Sequence, residues 1–420
     1  MCGRDDGLSG AAGLRLHTGM AMMLSPAFVR FAKSEQSAGI LLIGCTVLSL
    51  ALANSPVSGA YLGFWRFELG PLTIEHWIND ALMAIFFLLI GLELERELYH
   101  GELSSVRNAM LPAFAAAGGM AAPALIHFAF NADSPSQPGF GIPMATDIAF
   151  ALGILALLGA RVPPALKVFV VAYAVLDDLG AIVLIAAVYT DEISWGYLAA
   201  AVATWVALLF FNRVLRLMSL APYLAGGVVM WICLLNAGIH ASIAGVLLAF
   251  AIPFSARADQ DKSPSLRLEH SLHTPVAFLI LPLFALANTG VRIDTPALEL
   301  LWSANGFGIA IGLVLGKPAG VVVLSYLAVK SGVSSLPDNV RWSHVAGAGL
   351  LGGIGFTMSI FITNLAFSAQ PALIDSSKLA VLIASCIAGA AGLTWLRLIS
   401  ASHEADGVNA GKRLRESRDA

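Results

Sequence analysis

Twelve long apolar runs with short connections between them restrict this chain to very few folds. A helix needs about 20 apolar residues to cross the hydrocarbon core of a bilayer. Lipid cannot satisfy open backbone groups, so every crossing segment has to be helical. We therefore predict an all-α integral membrane protein with about twelve transmembrane helices. The predicted spans are residues 38–55, 77–95, 108–130, 141–159, 164–189, 195–212, 220–236, 238–254, 272–290, 304–329, 345–367 and 376–398.

The composition gives no sign of a soluble domain. The chain is 58% hydrophobic and 12% charged, whereas an average soluble protein has about 25% charged residues. We predict a transporter domain over 38–399, after a leader and interfacial segment over 1–37 and before a cytoplasmic tail over 400–420. Residues 26–33 are expected to form an amphipathic helix at the membrane interface. The four cysteines have no paired spacing and are interpreted as small hydrophobic residues.

The basic residues predict the orientation of the spans. If the N-terminus is cytoplasmic, only Arg66, Arg292 and Lys378 fall in outside segments, and Lys317 falls in mid-span. The other 20 of the 24 lysines and arginines then lie in cytoplasmic segments. Because basic residues concentrate on the cytoplasmic side, we expect both termini in the cytoplasm.

Two of the predicted spans are interrupted. Pro143 precedes Met144-Ala-Thr-Asp147 in the fourth span, and Gly352-Gly-Ile-Gly355 lies inside the eleventh. Proline removes a backbone donor and glycine weakens a helix. These are either ordinary kinked helices or a transporter's binding site, because broken helices at matching places in two halves are a mark of such sites.

Four ionisable residues fall near the middle of the membrane: Asp147, Asp177, Asp178 and Lys317. Each costs about 2.5–3.5 kcal/mol at a helix centre, or roughly 10–14 kcal/mol together. A single Asp–Lys pair can act as structural glue. Three acids against one base leave surplus carboxylates, and this surplus favours a cation or proton site.

Adjacent helical residues point about 100° apart, so Asp177 and Asp178 cannot face the same way. We expect one of them to meet Lys317 and the other to line a water-filled path. Sodium and lithium prefer oxygen ligands, which the carboxylates, the Thr146 hydroxyl and carbonyls freed at a broken helix can supply. Competition between ion and proton for these acids is an antiport mechanism. Asp147 and Lys317 have an alternative use, since they can offset the partial charges of interrupted helix ends.

Residues 64–76 form the first loop on the predicted outer side. Alternating residues flank Gly70-Pro71 within this segment. The pattern fits either a short β-hairpin or an irregular loop.

Several longer motifs resemble the NhaA-type sodium/proton antiporters of bacteria, and the similarity extends over about residues 25–398. The motifs are IPMATDIAFALGILALLGARVP (142–163), VLDDLGAIVLIA (175–186), HASIAGVLLAFAIP (240–253), RLEHSLH (267–273), LGKPAG (315–320) and GGIGFTMSIFI (352–362). The resemblance implies an inverted-repeat secondary transporter in the bacterial inner membrane, with the fourth and eleventh helices crossing near mid-membrane. It implies no enzyme activity, no cofactor and no nucleic-acid partner.

The resemblance also assigns roles to the buried charges. Asp177 and Asp178 match the acids that bind sodium, lithium or protons, and Thr146 and Asp147 match the residues beside them at the crossing. Lys317 matches a lysine that either pairs with Asp177 or balances the helix ends, and either member of that pair carries the second proton. The family exchanges two protons for one sodium or lithium ion, so transport is electrogenic, and it is activated at alkaline pH.

The resemblance further suggests a pH sensor and a dimer. The sensor candidates are Glu93, Arg96, Glu97, His240, Glu269, His270 and His273. From the residues alone, most of these are solvated charges at helix ends and His240 is a core histidine. Glu95 departs from the family, where a basic residue is expected. The hairpin over 64–76 resembles the one through which family members form homodimers in the lipid membrane.

Other classes fit the sequence less well. A proton- or sodium-coupled symporter of an organic solute is the main alternative, but its substrate needs polar contacts that the spans do not offer. An intramembrane aspartyl protease needs acids on two facing helices with a Gly-x-Gly-Asp setting, which this chain lacks. A retinal protein needs its lysine in the last of seven helices, whereas Lys317 falls in the tenth of the twelve predicted spans. The LGKPAG motif has Pro318 after the lysine and is not the phosphate-binding loop of an ATP-driven pump.

Overall fold

The computed structural model describes residues 35–190, 193–254 and 263–416. Within these ranges the regular structure is helical apart from one two-stranded sheet. The predicted interfacial helix over 26–33 lies outside the described residues.

The helices are numbered here in chain order, and a 3₁₀ segment, Gln137–Met144, precedes α5. Their bounds are α1 (Glu35–Ala53), α2 (Ser58–Trp65), α3 (Ile74–His100), α4 (Val106–Phe130), α5 (Ile148–Leu158), α6 (Pro164–Val188), α7 (Trp195–Arg213), α8 (Ala221–Ala237), α9 (Ile243–Ala249), α10 (Pro264–Asn288), α11 (Thr295–Leu301), α12 (Ala304–Lys330), α13 (Trp342–Gly352), α14 (Phe356–Ala366) and α15 (Pro371–Glu416).

The helix lengths confirm the prediction of a multi-pass α-helical membrane protein. In the described ranges, eight helices are long and apolar enough to cross a membrane, or nine if α13 and α14 count as one bent span. Two shorter apolar helical segments are Ser37–Ala53, within α1, and Ala221–Ala237, which is α8. The predicted span over 238–254 is not one continuous helix, because α9 covers only seven residues of it. Gly238, with a φ of +80°, ends α8 in the left-handed conformation, and turns separate it from α9.

Both predicted interruptions are present. The 3₁₀ segment ends at Met144, and residues 145–147 are extended before α5 begins. Helix α13 ends at Gly352, and α14 starts at Phe356 after a bend of 47°. Proline and glycine therefore break these two spans where the sequence places them, and backbone groups near both breaks lose their intrahelical partners.

Small residues allow α4 and α12 to pack very closely. Gly118 on α4 faces Gly320 on α12, and a Cβ atom on either glycine would collide with the carbonyl group of the other. Close approach through small residues is a common way for helices to associate in lipid, where apolar side chains gain little from contacting each other instead of lipid tails. This contact fixes α12, and with it Lys317, against the helix that precedes the first interruption.

The loop predicted to lie on the outer side contains a shorter hairpin than the predicted range of 64–76. Strands β1 (Glu68–Leu69) and β2 (Leu72–Thr73) pair antiparallel, and Gly70 has a φ of +73° in the turn. The flanking residues are helical, since Trp65 ends α2 and Ile74 begins α3. The Thr73 hydroxyl accepts a hydrogen bond of 3.2 Å from the His76 backbone and so caps the start of α3.

A Gly118→Val substitution tests this close contact. We expect it to lower the stability of the detergent-solubilised protein by about 1–3 kcal/mol, because overpacking forces the backbones apart. Thermal unfolding measures the loss. Gly153→Ala is the matched control, since a Cβ atom there meets open space, and its melting temperature should not fall. A stable Gly118→Val variant would contradict the packing described.

Candidate functional site

Helix α6 carries Asp177 and Asp178 at its centre, and both are buried, with exposures of 0% and 2%. The surrounding positions of α6, such as Ala174, Val175 and Ala181, are buried and apolar. Two charged groups in such surroundings are costly unless other groups compensate them. The compensation comes from α12 and from the two interrupted spans.

Lys317 approaches the acids from α12. Its Nζ atom lies 2.7 Å from Asp177 Oδ2 and also donates a hydrogen bond to the Met144 carbonyl oxygen. Both side chains of the ion pair have an exposure of 0%. Because Met144 ends the 3₁₀ segment, the lysine serves an acid and the negative end of an interrupted helix at once. The two uses that the sequence left open for Lys317 are therefore compatible.

The two acids keep oxygen atoms that no described residue satisfies. Asp177 Oδ1 and Asp178 Oδ1 are both buried without a hydrogen-bond partner in the described part of the chain. A buried acceptor without a partner costs about 1–3 kcal/mol, and more if it is charged. Such oxygen atoms are suited to bind a proton or a cation with its remaining water.

The two interruptions are joined to each other by hydrogen bonds. The Thr146 hydroxyl donates to the Gly352 carbonyl oxygen at 2.9 Å, and the Asp147 backbone donates to the Ile354 carbonyl oxygen at 2.6 Å. The Asp147 carboxylate in turn accepts from the Thr357 hydroxyl at 2.6 Å and from the Thr357 backbone at 3.2 Å. Each break thus satisfies groups that the other break exposes.

Asp147 also caps a helix. Its Oδ1 atom accepts a hydrogen bond of 3.3 Å from the Phe150 backbone at the start of α5, and its Oδ2 atom meets the Thr357 backbone near the start of α14. The carboxylate therefore lies at the positive ends of two helices. This is the arrangement expected of an acid that offsets helix dipoles.

The sequence analysis did not single out Thr357 or Tyr173. Thr357 follows the Gly352–Gly355 break just as Thr146 follows Pro143, and that parallel could have identified it. Tyr173 lies one helical turn before Asp177, and its hydroxyl is 3.3 Å from Thr146 Oγ1. Its spacing of four residues from Asp177 was the available signal.

A second charged cluster lies at the opposite end of α3 from the hairpin. Arg96 contacts Glu269 Oε1 at 2.8 Å and Glu97 Oε1 at 3.1 Å. His273 Nε2 lies 3.2 Å from Glu93 Oε1 and 3.9 Å from Glu269 Oε1. The structure therefore brings together five of the predicted sensor residues, from α3 and α10.

The remaining sensor candidates have different positions. His270 is exposed on α10, beside Glu269 in sequence. His240 is half-buried in the turn between α8 and α9, where its carbonyl oxygen accepts from the Ile243 backbone. Glu95, at the position where the family resemblance leads one to expect a basic residue, is buried and accepts a hydrogen bond of 2.9 Å from the Ser265 hydroxyl.

These features define a class of protein. A multi-pass helical membrane protein with buried acids, a buried lysine and two hydrogen-bonded helix interruptions is a secondary ion transporter.

Comparison with known proteins gives the family. The model of the family described as Na+/H+ antiporter 1 matches residues 29–396. The Na+/H+ antiporter NhaA of Dechloromonas aromatica is 61% identical over 373 residues, which are 89% of this chain and 96% of that protein. The Na+/H+ antiporter NhaA 1 of Flavobacterium johnsoniae is 54% identical over 378 residues, which are 90% of this chain and 98% of that protein. The chain belongs to the Na+/H+ antiporter 1 family.

A double-mutant cycle tests the buried ion pair. Lys317→Ala should lower stability by about 3–5 kcal/mol, because it leaves Asp177 as an uncompensated buried charge. Adding Asp177→Asn should recover part of that loss, because the amide carries no charge. Thermal unfolding of the single and double variants measures the coupling. Strictly additive losses would contradict the pairing.

Proposed function

We propose that this Na+/H+ antiporter works by competition between one sodium or lithium ion and protons for Asp177 and Asp178. The observation that carries this proposal is the pair of buried carboxylate oxygen atoms, Asp177 Oδ1 and Asp178 Oδ1, without partners in the described residues. A carboxylate that holds a proton cannot also act as an anionic ligand. Binding of the metal ion on one side therefore requires release of protons there.

Asp178 is the principal ligand in this proposal, because Asp177 already shares a charge-assisted bond of 2.7 Å with Lys317. Thr146 and Asp147 lie beside the acids at the interruptions and contribute oxygen atoms or position the ligands. Asp178 supplies one of the two exchanged protons. The second leaves Lys317 when sodium draws Asp177 away from it, or leaves Asp177 itself if that acid held the proton before sodium arrived. Two protons against one sodium ion move net charge, so the exchange is electrogenic.

The hydrogen bonds between the two interruptions support a crossing of broken helices at mid-membrane. In the proposed architecture, twelve transmembrane helices form an inverted repeat, and α13–α14 crosses the span that contains Pro143. Family membership supports this arrangement. It also favours the antiporter over an organic-solute symporter.

We further propose that a pH sensor activates exchange at alkaline pH. Its centre is the cluster of Glu93, Arg96, Glu97, Glu269 and His273, and His270 and His240 contribute to the same response. Interacting groups share protons and titrate together, and histidine changes charge in the physiological range. The bonds between Arg96 and Glu269 and between His273 and Glu93 join α3 to α10. A change in their protonation therefore alters how these two helices hold together.

The proposed setting is the bacterial inner membrane, with both termini in the cytoplasm. The distribution of basic residues supports this orientation and places the β1–β2 hairpin on the outer side. Its four strand residues leave the edges of a two-stranded sheet open to pairing. We propose that a second copy of the chain pairs there to form a homodimer within the lipid.

Asp178→Asn tests the ion site. The variant should insert and fold, because an amide has nearly the shape of the carboxylate, but it should lose sodium- and lithium-dependent proton movement. Collapse of an imposed pH gradient in membrane vesicles measures exchange. Asp338→Asn, in an exposed loop, is the control and should retain full exchange. Exchange at the control rate in Asp178→Asn would exclude the proposed site.

Glu269→Gln tests the sensor. Removing one anion leaves the cluster with less capacity to hold protons, so activation should shift to lower pH by about half to one unit. The pH profile of exchange in proteoliposomes measures the shift. Arg267→Gln, exposed on the same helix, is the control for a charge change nearby. A profile that moves in neither variant, or equally in both, would remove Glu269 from the sensor.

A further inference from the structure

Three asparagines from three helices bind each other at one end of the molecule. Asn79 and Asn288 exchange two amide hydrogen bonds, of 3.2 Å and 2.8 Å. Asn364 donates a third, of 2.6 Å, to Asn288 Oδ1. Asn288 is buried, with an exposure of 1%, while Asn79 and Asn364 are half-buried. This amide triad joins α3, α10 and α14.

The same three helices each contribute a buried phenylalanine. The rings of Phe87 and Phe361 have centroids 5.6 Å apart, and those of Phe361 and Phe284 are 6.4 Å apart. None of the three is more than 1% exposed. The cavity that Phe87 lines with Ile182, Ile185, Ser242 and Ile243 is too small to hold a water molecule. The three rings together form a buried phenylalanine layer.

The two layers lie in a fixed order on one side of the ion site. On α14, Phe361 comes one turn after Thr357, which binds Asp147, and Asn364 comes almost one turn later. On α6, Ile182 is one turn beyond Asp178. The cluster around Arg96 and Glu269 occupies the opposite ends of α3 and α10. The phenylalanine layer, and then the amide triad, thus separate the acids from the side that the basic residues assign to the outside.

We propose that the amide triad is the latch of an outer gate whose barrier is the phenylalanine layer. A buried apolar layer blocks a cation because the ion would have to shed its water there. The latch holds the barrier shut and has to open for sodium to leave. This inference rests on exchange at Asp177 and Asp178 as proposed above.

Asn364 is the member of the triad that joins α14 to the other two helices. Helix α14 begins at Phe356, and Thr357 in its first turn binds Asp147. Helices α3 and α10 are joined to each other by the ion pairs Arg96–Glu269 and His273–Glu93. The bond from Asn364 to Asn288 therefore joins the helix that begins beside Asp147 to the α3–α10 pair. An outward opening that moves α14 away from α10 breaks this bond.

The chemistry of the triad suits a reversible latch. Hydrogen bonds between neutral amides are individually modest, so loss of one shifts an equilibrium by only about 2- to 12-fold. Carboxylates at these positions would hold a departing cation, while neutral amides release it. When the triad opens, its amide oxygen atoms can still accept hydrogen bonds from the water molecules around a hydrated ion.

Thiol accessibility tests the latch without depending on ion exchange. The four native cysteines are replaced by serine, and Ile185→Cys places a thiol beside Phe87. A membrane-impermeant thiol reagent is then added to the outside of right-side-out vesicles. Asn364→Ala should raise the labelling rate about 2- to 12-fold, in line with the loss of one amide bond.

Asn54→Ala is the matched control. Asn54 joins the end of α1 to Val291 and Ile293 by bonds of 2.9 Å and 2.7 Å, on the same side of the membrane but outside the triad. It should leave the labelling rate unchanged. Unchanged labelling in Asn364→Ala, or an equal rise in both variants, would overturn the latch. Neither result would affect the ion site, which Asp178→Asn tests separately.

A cross-link provides the opposite test. In the cysteine-free chain, Asn288→Cys and Asn364→Cys are joined by a bifunctional thiol reagent with a cleavable disulfide spacer, and mass spectrometry measures the cross-linked fraction. Exchange should fall in proportion to that fraction and return when a reductant cleaves the spacer. Each single-cysteine variant should have the same exchange rate before and after treatment with the reagent. Full exchange in the cross-linked protein would contradict the gate.

Discussion

The ion pair between Lys317 and Asp177 is the interaction on which the rest of the site depends. It compensates one lysine and one acid at a depth where neither is tolerated alone, and it fixes α12 against α6. Because the pair is already balanced, Asp178 remains as a surplus acid with a buried oxygen atom that no described residue satisfies. In the mechanism that we propose, this imbalance is met from outside the chain, by a proton or by a metal ion, and that requirement is the physical basis of exchange.

The interrupted helices make that imbalance usable. Continuous helices would bury their backbone groups and offer the ion only side chains. The breaks at Met144 and at Gly352–Gly355 bring Thr146, Asp147 and backbone groups without intrahelical partners close to the acids. They also let α14 start beside the ion site and end at the amide triad. In the proposed mechanism, this one short helix connects the ion-binding residues to the outer barrier.

Sequence reasoning reached the spans, the two interruptions and the buried charges because each depends on local composition. It could not locate the bond between Asp147 and Thr357, which joins residues 210 positions apart, nor the amide triad, since isolated asparagines near span ends resemble ordinary interface residues. The predicted span over 238–254 was wrong as a continuous helix, because apolar content does not reveal the left-handed turn at Gly238. The predicted hairpin was longer than the observed one, because the alternating residues at 65–67 and 74–76 are helical or flank helices.

Calorimetry of sodium binding to the purified protein tests the central claim most directly. If sodium displaces protons, the measured heat of binding varies linearly with the ionisation heat of the buffer, and the slope gives the number of protons released. We predict release of one to two protons per sodium ion, and no sodium-dependent heat in Asp178→Asn. A heat of sodium binding that is the same in all buffers at a given pH would contradict competition at the paired aspartates.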